Sequence, residues 1–185
     1  QENQSGHPSS WSATIDQFCS GFDDDIRRLF VISAGNNIEI NPQIDYWDQV
    51  TLAPIEDPAQ SWNALTVGAF TEKTTNDAPE LQGWAPFSLY GDVSPASRSS
   101  QSWTWKKQAP IKPDVVAEGG NRLISPDRTQ VSNEDVVGLL TTSGRTAGQM
   151  FERAGDTSAA CALVSRQAAI LMAEYPHYWP ETIRG

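Results

Sequence analysis

Leu29-Phe30-Val31-Ile32-Ser33-Ala34-Gly35-Asn36-Asn37 is the stretch on which the fold turns. Its opening apolar run, unbroken by polar residues, reads as a strand covered on both faces, the pattern of a parallel sheet. Ser-Ala-Gly-Asn then places an amide side chain at the C-terminal edge of that strand, where open α/β sheets hold their ligands. Upstream, Pro8-Ser9-Ser10 precedes Trp11, Ile15, Phe18 and Phe22. Their spacing predicts a helix with these residues on one face, a serine as N-cap and Gly21 as its end. A helix followed by a buried strand predicts α/β winding.

Further along, Leu65-Thr66-Val67-Gly68-Ala69 and Val115-Val116-Ala117 are apolar runs of the same kind, and Leu139-Leu140-Thr141 is a candidate fourth strand. From Ser158 to about Glu174 the chain is Ala, Leu, Val, Ile and Met with few charges. A helix apolar nearly all round is expected to be buried within the protein. The Ser-, Pro-, Asn- and Gln-rich stretches between these elements, such as Asp92 to Gln108, are expected to be surface loops.

At 185 residues the chain has room for one domain, or part of one, and not two of ordinary size. Apolar residues make up 38% and charged residues 19%, a composition that folds around a core. The formal net charge of -10 repels phosphate backbones and anionic lipid, so neither nucleic acid nor a membrane surface is an expected partner. No apolar run approaches the roughly 18 residues of a membrane span. Cys19 and Cys161 are distant in sequence and imply no disulfide framework; as free thiols they favour the cytoplasm over an oxidising compartment. Asp23-Asp24-Asp25 is an acidic run of the kind that is usually a solvated turn, and no metal or other cofactor is expected.

Ala154-Gly155-Asp156-Thr157-Ser158-Ala159-Ala160 puts a serine in the first turn of the apolar helix. Unpaired backbone N–H groups and the positive end of the helix dipole stabilise an anion there, which suits a nucleophile. Taken singly, Gly35-Asn36 more often makes a tight turn and Thr157 or Ser158 more often caps a helix. Together they form a pattern. Val31-Ile32-Ser33-Ala34-Gly35-Asn36 resembles the oxyanion segment of the subtilases, and Asp156-Thr157-Ser158-Ala159-Ala160 resembles their Gly-Thr-Ser-x-Ala nucleophile motif. Trp62 to Ala69 is similar to the family strand ending in Val-Gly-Ala, and Lys112-Pro113-Asp114-Val115-Val116-Ala117-Glu118-Gly119 to Lys-Pro-Asp-Val-x-Ala-Pro-Gly. Tyr175 to Arg184 resembles the segment after the nucleophile helix. The order of all five matches is the family's.

The resemblance implies a subtilisin-like three-layer α/β fold with a mostly parallel sheet and a buried central helix, incomplete in this chain. Residues 1–185 would be the C-terminal portion of a serine endopeptidase domain. Ser158 would be the nucleophile and Asn36 the oxyanion donor, with Gly6, Ala34 and Gly35 lining the substrate cleft and Gln4-Ser5-Gly6 as a cleft-wall strand. A peptide or protein is the implied substrate. A subtilase also needs a histidine base and an aspartate that orients it, in the order Asp, His, Ser. His177 follows the helix, roughly 24 Å from Ser158 at 1.5 Å per residue. His7 lacks the family's His-Gly-Thr setting. Base and aspartate would therefore precede Gln1, and the chain would pair with that missing half or with itself. Asp156 departs from the family glycine, which leaves Gly155 as the flexible residue of the turn. Cys161-Ala162 stands where many members have a proline, and Glu118 replaces another. The competing expectation is an inactive subtilase-fold binding module. A nucleotide-binding domain is disfavoured, since no Gly-x-Gly-x-x-Gly or phosphate-loop lysine occurs.

Overall fold

The computed structural model of the protein describes residues 6–105, 109–145 and 147–185. Gln4 and Ser5 of the expected cleft-wall strand lie outside them. In chain order the elements are α1 (Ser10–Ser20), β1 (Val31–Ser33), α2 (Tyr46–Leu52), β2 (Leu65–Thr71), β3 (Ala85–Pro86), β4 (Asp92–Val93) and β5 (Val115–Glu118). They continue with β6 (Leu123–Ile124), β7 (Val131–Ser132), β8 (Leu139–Thr142), β9 (Phe151–Ala154), α3 (Asp156–Glu174) and α4 (Pro180–Arg184). The architecture is mixed α/β.

β2 is the hub. It pairs in parallel with β1, Val31 opposite Leu65, and with β5, Val67 opposite Val115, while β4 adds an antiparallel partner at Phe70 and Thr71. Alternation along these strands sends side chains to opposite faces. Val67 and Ala69, with Val31 and Ala117 beside them, pack on Ala160 and Val164 of α3. Ile32 points the other way, onto Ile15 and Cys19 of α1 and onto Ala34, Ile55, Ala59 and Trp103. Of the run read as a two-sided strand, Val31 and Ile32 are thus packed on opposite faces, whereas Leu29 and Phe30 precede the strand and Phe30 is 39% exposed.

α1 begins and ends as its sequence dictates. Ser9 forms a capping box with Ser12, and Gly21 closes the helix at φ 71°, a left-handed conformation that glycine adopts without steric cost. Its buried face is not the expected one, however. Ser12, Ile15 and Cys19 face inward, whereas Trp11, Phe18 and Phe22 are exposed. Small residues at the inner positions let the helix lie close to Ala64 and β1.

The candidate fourth strand is present as β8, which pairs antiparallel with β9 in a separate two-stranded sheet. Three other expectations are corrected. The Val115-Val116-Ala117 run forms β5 but is not covered on both faces, since Val115 is 38% and Val116 51% exposed. α3 runs unbroken from Asp156 to Glu174, but only Thr157, Ala160 and Ala168 are buried, and Leu163, Ile170 and Met172 are each 42% exposed. Asp92 to Gln108, which opens with β4 and is otherwise largely irregular in its described part, is not a surface loop throughout. Ala96 and Trp103 are fully buried, and Gly6 is seated on the Trp103 indole with no room for a Cβ.

One polar cluster ties the ends of the sheet together. Lys112, 2% exposed, donates to Ala64 O at 3.0 Å and to Asp114 Oδ2 at 2.6 Å. The same carboxylate accepts the Thr66 N–H and meets Arg184 of α4. Burial pushes the Lys112 pKa down and the Asp114 carboxylate opposes it. Asp114→Ala leaves that ammonium buried without a counter-charge, which typically costs about 3–5 kcal/mol. A urea titration of the intact protein should show a loss of this size; less than about 1 kcal/mol would mean that Lys112 finds another partner or water.

Candidate active site

The parallel strand β1 delivers Ala34, Gly35 and Asn36 to its C-terminal edge. The Ala34 N–H donates to Val67 O and its carbonyl accepts from Glu56 N–H, so backbone bonds continue past the strand. Gly35 has φ 89°, and a Cβ there would meet the Glu56 carboxylate. Asn36 is fixed from both sides. Its carbonyl accepts from Arg98 Nη2 at 2.9 Å, and Arg98 also bonds Pro54 O and pairs with Glu56 at 2.8 Å. The next residue, Asn37, donates its N–H to Ala96 O.

The Asn36 side chain meets the start of α3. Its Oδ1 accepts from the Thr157 N–H at 3.1 Å and lies 2.7 Å from the Thr157 hydroxyl, which is also 3.0 Å from Gly35 O. A backbone N–H can only donate, so the atom facing Thr157 must be the amide oxygen. That turns the Asn36 Nδ2 donors away from Thr157.

Ser158 follows immediately and is exposed, whereas Thr157 is fully buried. The first N–H groups of a helix lack intrahelical acceptors. Here the Asp156 N–H goes to Gly119 O at 2.6 Å and the Thr157 N–H to Asn36; the Ser158 N–H has no acceptor among the described residues. An exposed hydroxyl, an open backbone donor and a fixed side-chain amide are thus gathered at one helix end, an arrangement suited to stabilising an oxyanion.

The turn that presents Ser158 differs from expectation. Gly155 is extended, with φ -170°, and the left-handed residue is Asp156 at φ 63°. Asp is one of the few non-glycine residues that tolerate this region. Its carboxylate lies 2.7 Å from Arg122 Nη2 and 3.9 Å from Arg153 Nη2. Gly119 passes beneath, where a Cβ would collide with Ala69 and with the Asp156 backbone.

Asn36, Gly35 and Ser158 are therefore brought to the start of α3. Ala34 sits with its side chain in the core beside Trp103. Gly6 is buried under the same indole, in irregular backbone at φ 81° rather than in a strand. His177 lies beyond the far end of α3, and His7 stacks on Trp105 at 4.7 Å between ring centroids. In the acidic turn, Asp24 is held by Arg28 and by the Ile26 N–H.

Arg98, Arg122 and Arg153 were not foreseen. No local pattern marks Arg98, whose carbonyl partners come from distant segments. For the other two, a carboxylate in a glycine position was the available signal, since a buried Asp calls for a cation.

No curated protein matches the chain. The model of the Subtilase family, a family of serine peptidases, matches residues 2–185. With that match over nearly the full length, and an Asn-bearing strand edge set against a Thr-Ser helix start, the chain belongs to the subtilase family.

Proposed function

We propose that residues 1–185 are the C-terminal portion of a serine endopeptidase domain of the subtilisin-like three-layer type. Ser158 is its nucleophile, and Asn36 Nδ2 with the Ser158 N–H forms its oxyanion hole. The observation that carries this reading is the Thr157 clamp on Asn36 Oδ1, which aims the amide donors while leaving Ser158 open. In this reading a histidine and an aspartate from chain preceding Gln1 complete the site. The histidine takes the Ser158 proton as Oγ attacks the peptide carbonyl, then returns it to the leaving amine, and water releases the acyl group by the same route. The extended peptide runs along the backbone of Gly35 and Ala34. No cofactor enters these steps.

The same preceding chain would cover the groove lined by Leu29, Phe30, Val31, Ser165, Ala168, Ala169 and Met172, along β1 and α3. A second reading, an inactive binding module, is favoured by one observation, the Asp156 carboxylate in the nucleophile turn. Turnover of an unfolded protein substrate by the intact protein separates them. The peptidase reading expects cleavage that disappears in Ser158→Ala; absence of cleavage in the natural protein, with substrate binding retained, establishes the binding module instead.

A further inference from the structure

The backbone conformation from which Ser158 is launched is held by an ionic cluster. Asp156 occupies a left-handed conformation, φ 63°, that most side chains avoid. Its N–H is tied to Gly119 O, and its carboxylate faces two guanidinium groups, Arg122 at 2.7 Å and Arg153 at 3.9 Å. All three side chains are largely withdrawn from water, with exposures of 7% for Arg122, 15% for Arg153 and 18% for Asp156. Asp156 Oδ1 and the buried Nε and Nη2 of Arg153 make no hydrogen bond among the described residues, so charge rather than hydrogen-bond direction holds the group together.

The cluster joins three parts of the chain. Asp156 opens α3, Arg122 immediately precedes β6, and Arg153 lies in β9. Arg153 is pinned further by Gly138 and Gly155, where a Cβ would strike its side chain. Burial, and then the neighbouring Arg122, weaken the hold of Arg153 on its proton, while Asp156, Asp135 and Glu134 oppose them. Removing the Asp156 charge would leave two like charges facing each other in a poorly solvated site, and the turn would have to move to relieve them.

We propose that the Arg122–Asp156–Arg153 cluster is a positioning device for the nucleophile: it fixes the residue preceding Thr157 and thereby sets the Thr157 contact to Asn36 and the aim of Ser158. This rests on the reading of Ser158 and Asn36 as nucleophile and oxyanion donor. Asp156 touches neither substrate nor reacting atoms in this scheme and acts through Thr157.

The test uses the full natural chain and the variants Asp156→Asn, Arg122→Gln, Arg122→Lys and Asp156→Gly. Amide hydrogen exchange at Thr157 reads its bond to Asn36 Oδ1 without requiring turnover. Protection of Thr157 should fall about tenfold or more in Asp156→Asn and Arg122→Gln, while Val67 and Ala69 in β2 keep theirs. Arg122→Lys, which retains the charge, should recover most of it. Asp156→Gly, which eases the backbone but removes the anchor, should not. In peptidase assays the uncharged variants should lose roughly 10- to 100-fold in kcat with KM nearly unchanged, as expected for a misaligned nucleophile. In an Asn36→Ala background, the further effect of Asp156→Asn should shrink, because the two act through one contact. Unchanged Thr157 protection in Asp156→Asn overturns the proposal, as does equal loss of protection in β2, which would mark a purely structural role. Unchanged kcat despite lost protection in an active enzyme also overturns it. If the natural protein shows no turnover, the peptidase reading fails, and exchange at Thr157 still shows whether the cluster holds the turn.

Discussion

Asn36→Ala in the intact protein is expected to lower kcat by roughly a hundred- to a thousandfold, the loss known for the corresponding donor in subtilisin itself. KM should change little, because the amide meets charge that develops only in the transition state. Asn36 has a second task, however. Its Oδ1 anchors Thr157, so Ala removes an anchor as well as a donor. Asn36→Asp separates the two tasks, since a carboxylate can still accept from Thr157 but has no N–H to offer. It should lose at least as much kcat as Ala while keeping thermal stability closer to that of the natural protein. A kcat within about threefold of the natural value in either variant would remove Asn36 from the oxyanion hole.

The second large effect concerns residues 1–185 prepared alone, which are expected to associate. β1 pairs with β2 on one side, and no strand among the described residues takes its other edge. Beside that edge, Phe30 is 39% exposed and Met172 is 42% exposed. An open strand edge next to apolar surface is a template for another chain. At about 25 cal/mol per Å², covering 400 Å² of apolar surface would contribute on the order of 10 kcal/mol, comparable to the whole net stability of a domain. Light scattering at micromolar concentration should report a self-associated species, and a separately supplied preceding half of the domain should convert it to a one-to-one complex. A strictly monomeric preparation with a cooperative melt would refute the expectation.

Much of this architecture was legible in the residues. Ser9 and Gly21 marked the ends of α1, and the apolar runs at Leu65 and Val115 became parallel neighbours, the first buried along nearly its whole length and the second exposed at Val115 and Val116. What failed was the prediction of which surfaces are covered. Trp11, Phe18 and Phe22 define a clear stripe, yet the helix lies on Ser12, Ile15 and Cys19, because close approach to Ala64 and β1 favours small side chains. Trp103 sits in a polar stretch without periodicity, and its burial depends on Gly6, nearly a hundred positions away. The site shows the same division. Asn36, Thr157 and Ser158 stand in recognisable local motifs, whereas Arg98 reaches Asn36 across 62 positions, a contact for which neither end carries a local pattern. Asp156 was visible as an anomaly, but not its Arg122 and Arg153 partners or its left-handed backbone.

The most direct measurement of the central claim is covalent labelling by a fluorophosphonate probe, with the modified peptide located by mass spectrometry. A serine without its base is a weak nucleophile at neutral pH. The intact protein should therefore label rapidly and at Ser158 alone, lose labelling in Ser158→Ala, and label far more slowly when only residues 1–185 are present. Rapid labelling at another serine would contradict the assignment of the nucleophile. Rapid labelling of Ser158 in residues 1–185 alone would contradict the claim that its base comes from outside them.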